Sequence, residues 1–167
     1  IEYDSMRKKA LEWLNQEIAV LEEDLDETDA YFGPCPFINL VHQLQLEMTG
    51  ADVSFAAPLS FDSVIPKGII TVRDMFKLYK YENYLYTLKL TGKEIKDILE
   101  LSYDRWTNTM TSADDHIMKL SYVLNNGKRL GFENLAFNFI SAAGIKYDVD
   151  VTKPFGQKIY ISEMLDG

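Results

Sequence analysis

Two helix-start signals bracket an alternating run between Lys67 and Glu100, and that order leaves few ways to fold the middle of the chain. Thr71-Val72-Arg73-Asp74 has capping-box-like spacing, with Asp where Glu or Gln is usual, and predicts a helix running to about Tyr79. Thr91-Gly92-Lys93-Glu94 is a full capping box, with Ile95, Ile98, Leu99 and Leu101 supplying the apolar face behind it. Between them, Tyr84 to Leu90 alternates aromatic or aliphatic residues with Thr and Lys, the period of a half-buried strand. Helix, loop, strand and helix must therefore follow one another closely. Tyr81 and Asn83 fall in the loop.

The rest of the chain supplies both periods. Met6, Ala10, Trp13 and Leu14 recur at helical spacing. That helix extends through Ile18, Leu21 and Leu25 on periodicity, yet Asn15 interrupts it and Ile18-Ala19-Val20-Leu21 reads equally as a short strand. Pro34 and Pro36 suit a helix start, and Phe37, Leu40, Val41, Leu44 and Met48 form a stripe that Gly50 closes as a C-cap. Asp52 to Ala57 reads as a short buried strand. After a polar, unpatterned loop over Thr107 to Asp115, Asn125-Asn126-Gly127 signals a hairpin turn following Leu120–Leu124. Phe137–Ser141, Ile145–Val151 and Lys158–Met164 read as three strands. Helices early and strands late predict one α+β, or mixed α/β, domain with helices packed on mixed sheets.

Composition narrows the partners. The chain carries 26 acidic against 17 basic residues, a net charge of −9, whereas a binder of nucleic-acid polymer presents a basic stripe to the phosphates. No run approaches the roughly 18 apolar residues of a membrane span. No charged-apolar-small leader precedes Ile1, and the ends read as those of a mature, cytosolic or fragmentary chain. Glu22 to Asp29 holds six acids among eight residues, but lacks the spaced ligands and glycine turn of a calcium loop, so a solvated face is expected. The single cysteine, Cys35, lies between two prolines and reads as a small apolar residue at a helix start.

Catalytic and metal-ligating patterns are missing. His42 and His116 are the two histidines; the first is expected to be a flank or partner-bonded helix residue and the second a surface one. With one cysteine they make no spaced zinc motif. No nucleophile elbow, P-loop or Rossmann fingerprint occurs, and Ser54, Ser60 and Ser63 have no histidine at recognisable spacing. No catalytic residue and no cofactor is therefore assigned to this chain. It reads as a part that binds.

Tyr81, flanked by Lys80, Glu82 and Asn83, is the candidate binder. A ring stacked on a base face contributes roughly 1–3 kcal/mol, and an amide beside it can read a base edge; Asn83 could equally shape the turn. Tyr84 and Tyr86 are expected on one strand face, packed against a helix. Ala142-Ala143-Gly144 is a second candidate, where small residues either admit a ligand to the backbone or form a bulge.

Pro34 to Gly167 resembles the C-terminal domain of the 5'-nucleotidase family, especially its 2',3'-cyclic-nucleotide 2'-phosphodiesterase/3'-nucleotidase branch. The resemblance runs in order through Phe37-Ile38-Asn39-Leu40, Thr49-Gly50-Ala51-Asp52-Val53, Phe55-Ala56-Ala57-Pro58 and Gly68-Ile69-Ile70-Thr71. It continues through Tyr79-Lys80-Tyr81-Glu82-Asn83, Leu90-Thr91-Gly92-Lys93-Glu94, Ala143-Gly144-Ile145-Lys146-Tyr147-Asp148 and Asp166-Gly167.

What the resemblance implies is the substrate-binding half of a two-domain hydrolase. A separate N-terminal metallophosphoesterase domain would hold two divalent metal ions and the catalytic residues, and this chain would bind a nucleoside or nucleotide. Residues 1–16 would be an interdomain linker helix and 17–167 a nucleoside-binding C-terminal domain, truncated at its C-terminus; Ile18–Leu25 becomes an extended segment. Tyr81 falls at a base-stacking position, Asn83 at a base-binding one, Gly144 in a segment lining the nucleoside pocket, and Asn39 at a structural asparagine. Family members are usually periplasmic or on the cell surface. The chain departs at Ala56-Ala57-Pro58-Leu59-Ser60-Phe61, where many 5'-nucleotidases have Asn-Gly-Gly-Gly-Ile-Arg; a non-catalytic interaction or structural module is the alternative that this departure leaves. The family also continues past Gly167 into a second aromatic and an aspartate that complete the clamp.

Overall fold

The computed structural model describes residues 2–58, 63–78, 81, 83–124 and 128–165. They form two compact units, residues 1–39 with 59–84 and residues 40–58 with 85–167.

In the first unit, helix α1 (Glu2–Leu14) ends at the interruption that Asn15 signals, and strand β1 (Glu17–Leu21) follows. β1 pairs antiparallel with β5 (Gly68–Thr71), Val20 opposite Ile69, and the Val72 N–H closes the end of the ladder on the Gln16 carbonyl at 3.1 Å. The extended reading of this region holds: β-branched Ile18 and Val20 favour a ladder over another helical turn. β2 (Leu25–Asp26) pairs antiparallel with β4 (Val64–Ile65). The acidic run is less uniformly solvated than expected. Glu27 is fully buried, and the Asp24 carboxylate accepts from the Lys67 N–H at 2.7 Å. Asp26 accepts from the Thr28 N–H at 2.7 Å, which holds its carboxyl below the ordinary range. Helix α3 (Val72–Leu78) starts where the capping signal lies: the Thr71 N–H and Oγ1 donate to Asp74 Oδ2 at 2.9 and 2.8 Å. Trp13 of α1 meets Phe76 of α3 edge-on at 6.0 Å.

Helix α2 (Pro36–Thr49) begins at the predicted proline and ends at Gly50, whose φ of 64° is the left-handed C-cap. Cys35, Phe37 and Ile38 are buried at its start. Burial raises the Cys35 thiol above its ordinary value, the behaviour of an inert cysteine.

The second unit is built on α4 (Gly92–Trp106), which opens on the complete capping box: Glu94 N–H bonds Thr91 Oγ1, and Glu94 Oε2 accepts from Thr91 N–H at 2.7 Å. Ile95 and Leu99 pack with Ile145 of β9 (Ile145–Val149) and Ile159 of β10 (Ile159–Met164), an antiparallel pair. At the C-terminal end of α4, Trp106, Phe139 and Tyr103 interlock edge to face at 5.1 and 5.2 Å. Leu101, assigned to the buried face by its neighbours, is 47% exposed; Glu100 and Ser102 are buried instead. Glu100 accepts from the Gly156 and Ile159 N–H groups, each at 2.8 Å. β3 (Ser54–Ala56) pairs antiparallel with β8 (Ser141–Ala143), and β6 (Leu120–Leu124) with β7 (Lys128–Phe132). The Asn125-Asn126-Gly127 turn expected between those last two lies outside the described residues.

Two predicted strands differ. Residues 137–141 are a 3-10 turn over Ala136–Asn138 followed by β8, because Phe139 is drawn to Trp106 and Tyr103 rather than alternating with Phe137. Residues 84–90 form no ladder among the described residues. The mixture of helices and antiparallel ladders is the expected α+β class.

Candidate functional site

Tyr81 and Asn83 lie in the connection between α3 and α4, which ends at the capping box of Thr91 and Glu94. Asp74 also meets the Lys77 ammonium at 2.8 Å, which with the Thr71 bonds lowers its carboxyl to a pKa of about 2. The Tyr81 ring is 62% exposed, and Asn83 is exposed. Lys80 and Glu82, read as loop markers, lie outside the described residues, as do Tyr79 and residues 59–61 of the departure from the arginine motif.

The expectation that Tyr84 and Tyr86 pack against a helix does not hold: they are 78% and 77% exposed. Alternation fixes which residues share a face, but a face is buried only where another element covers it.

Gly144 belongs to the second unit, at the junction of β8 and β9. Its φ is +86°, and a Cβ there would lie 2.0 Å from the Asp52 carbonyl oxygen and 3.2 Å from Val53 Cα. Both the left-handed backbone and the contact demand glycine. The close approach seen at Gly144 is that of the chain's own backbone at Asp52 and Val53. The Gly144 carbonyl accepts from the Leu165 N–H at 2.8 Å.

Beside it lies a cluster that sequence spacing does not reveal. His42 of α2 has Nδ1 2.9 Å from Ser54 Oγ and Nε2 3.2 Å from Ser141 Oγ. Ser54 Oγ donates to Gln45 Oε1 at 2.6 Å, so it accepts from His42, which places the imidazole proton on Nδ1. Nε2 is then the acceptor for the Ser141 hydroxyl. That hydroxyl also lies 3.4 Å from the Ala56 carbonyl, to which its one proton can be donated instead. The arrangement joins α2 to β3 and β8, and burial lowers the His42 pKa to about 4. The expected partner-bonded histidine is found. Its serines are 12 and 99 positions away, and no local signal names them.

Lys158 is fully buried, its ammonium donating to the Asn108 carbonyl at 3.4 Å and Thr109 Oγ1 at 3.2 Å. Burial lowers its pKa. Among the described residues no group of three or more His, Cys, Asp or Glu could hold a metal ion, and no helix is long and apolar enough to cross a membrane.

The chain belongs to the 5'-nucleotidase C-terminal domain family, whose profile matches residues 17–165. It is similar to the trifunctional nucleotide phosphoesterase protein YfkN of Bacillus subtilis, 28% identical over 88% of this chain and 11% of that protein. It is 35% identical to the 2',3'-cyclic-nucleotide 2'-phosphodiesterase/3'-nucleotidase of Salmonella typhimurium, over 58% of this chain and 13% of the relative. In fold it matches a 5'-nucleotidase precursor from Thermus thermophilus, with a TM-score of 0.68, 21% identity, and coverage of 97% of this chain and 29% of that one. A Staphylococcus aureus 5'-nucleotidase candidate matches with a TM-score of 0.71 and 24% identity, over 98% of this chain and 31% of that one. The chain thus spans about a tenth of these curated relatives' length.

Proposed function

We propose that this chain is the substrate-holding domain of a nucleotide phosphohydrolase, with a nucleoside or nucleotide as its ligand. The observation that carries the reading is the 62% exposed Tyr81 ring close in sequence to an exposed Asn83, on the loop that leads into the capping box of α4 in a domain of this family. Tyr81 stacks on the base and Asn83 reads its edge. Gly144 belongs to the lining segment, where it lets the chain pass against Asp52. Residues 1–16 serve as the linker to an N-terminal metallophosphoesterase domain.

The two divalent ions such an enzyme uses supply an activated water. On this reading the N-terminal domain would hold both ions, and this chain's residues would act on the substrate alone. This chain's contribution is to hold the substrate in line, which lowers the barrier by pre-ordering it. The YfkN protein and the Salmonella phosphodiesterase/3'-nucleotidase make nucleotide esters, cyclic ones included, the substrate class to try first. The periplasm or the cell surface is the proposed location, to be checked by fractionation.

Adenosine titration of the intact enzyme and its Tyr81→Ala variant tests the site. Loss of the stack should weaken Kd about 5- to 150-fold, equivalent to about 1–3 kcal/mol. Unchanged affinity and turnover would remove Tyr81 from the site.

A further inference from the structure

Residues 85–90 have the pattern of a strand but no ladder partner among the described residues. Leu85, Tyr86 and Leu88 are 45, 77 and 73% exposed, and Leu90 alone packs against the core of the second unit. By the two-residue period, Tyr86, Leu88 and Leu90 share one face while Thr87 and Lys89 take the other. Among the described residues, no backbone donor or acceptor pairs with this stretch. An apolar stretch of strand pattern whose N–H and C=O groups find no partner among the described residues is a template for another strand, and proteins cover or blunt such stretches. Lys89 is its one charge, too little to blunt it.

We propose that residues 85–90 are half of a β-ladder whose other half is a strand of the same protein lying outside these 167 residues. Two observations select that occupant over a second copy of the chain. The matching fold covers 31% and 29% of the two solved chains that share it, so this domain occurs within polypeptides about three times as long. A strand tethered in the same chain acts at an effective concentration on the order of millimolar. A second copy, by contrast, brings one net charge of −9 against another, which opposes association. The occupant is an extended segment with apolar residues at alternate positions, placed to cover Tyr86 and Leu88 and to satisfy the exposed backbone.

Amide hydrogen exchange on the natural full-length protein, read by mass spectrometry over peptides spanning residues 85–90 at several protein concentrations, tests this. The expected result is exchange slowed about 100-fold or more relative to unstructured chain, at every concentration. Successive N–H groups point to opposite sides, so one of the variants Tyr86→Pro and Thr87→Pro must remove a ladder donor and restore fast exchange. Fast exchange in the wild-type protein overturns the proposal. Slowing that grows with concentration assigns the edge to a second copy and overturns it equally. The wild-type measurement decides alone should both proline variants fail to fold.

Discussion

Mild acid should loosen the second unit through a single side chain, His42. The ring is 4% exposed, its two nitrogens are taken by Ser54 and Ser141, and burial lowers its pKa from 6.5 to about 4. The neutral ring is the form the fold accommodates. Protonation would remove the acceptor that Nε2 offers Ser141 and place an uncompensated charge among hydroxyls and an amide. The unfolded chain takes up the proton first, so this stabilisation is complete above pH 6.5 and is lost as pH falls from 6.5 towards 4. The difference between the two pKa values corresponds to about 3 kcal/mol, a large share of the roughly 5–15 kcal/mol that holds a domain folded. Asp74 titrates in a lower window, between 3.8 and about 2, and does not obscure the effect. Urea unfolding at a series of pH values, in a Trp13→Phe background, reads the second unit: Trp106 is 1% exposed there, whereas the 53% exposed Trp13 belongs to the first unit. His42→Gln should be less stable than wild type at neutral pH and nearly flat between pH 6.5 and 4. Parallel losses in the two proteins across that window would refute the argument.

Gly144→Ala should destabilise by about 3 kcal/mol or more, since the new methyl meets the Asp52 backbone in a left-handed conformation; a denaturation midpoint shared with wild type would contradict this. Glu100→Ala should cost about 2–4 kcal/mol by stranding the Gly156 and Ile159 N–H groups, with Glu100→Gln recovering part of it, both measured by urea unfolding. Tyr81→Ala should leave thermal stability within about 0.5 kcal/mol of wild type, because the ring is mostly exposed; a large drop in Tm would mean the side chain is structural.

What the sequence revealed depended on how local each signal was. Thr91 to Glu94 spelled out the start of α4 because both halves of the capping box lie within four residues. Gly50 announced the end of α2 for the same reason. Tyr81 was legible as an exposed candidate because its neighbours in sequence are polar. The His42 cluster was not, since its geometry exists only once α2, β3 and β8 converge. Period-two alternation misled at residues 84–90 by implying cover that the described chain does not supply, and at Phe137 to Ser141, where aromatic packing chose a turn.

The carboxylate of Glu100 has a consequence beyond the stability it contributes. A hairpin ordinarily takes its register from its own turn. Between β9 and β10 the register is also dictated from outside, by a helix residue gripping the chain at Gly156 and Ile159, while the Asp150 N–H bonds the Lys158 carbonyl at 2.7 Å. The tip over Thr152 to Phe155 is thereby free to change length and composition without shifting the strands behind it. A domain anchored this way can acquire a new surface loop there and keep the junction at Gly144, on the far end of β9, unaltered.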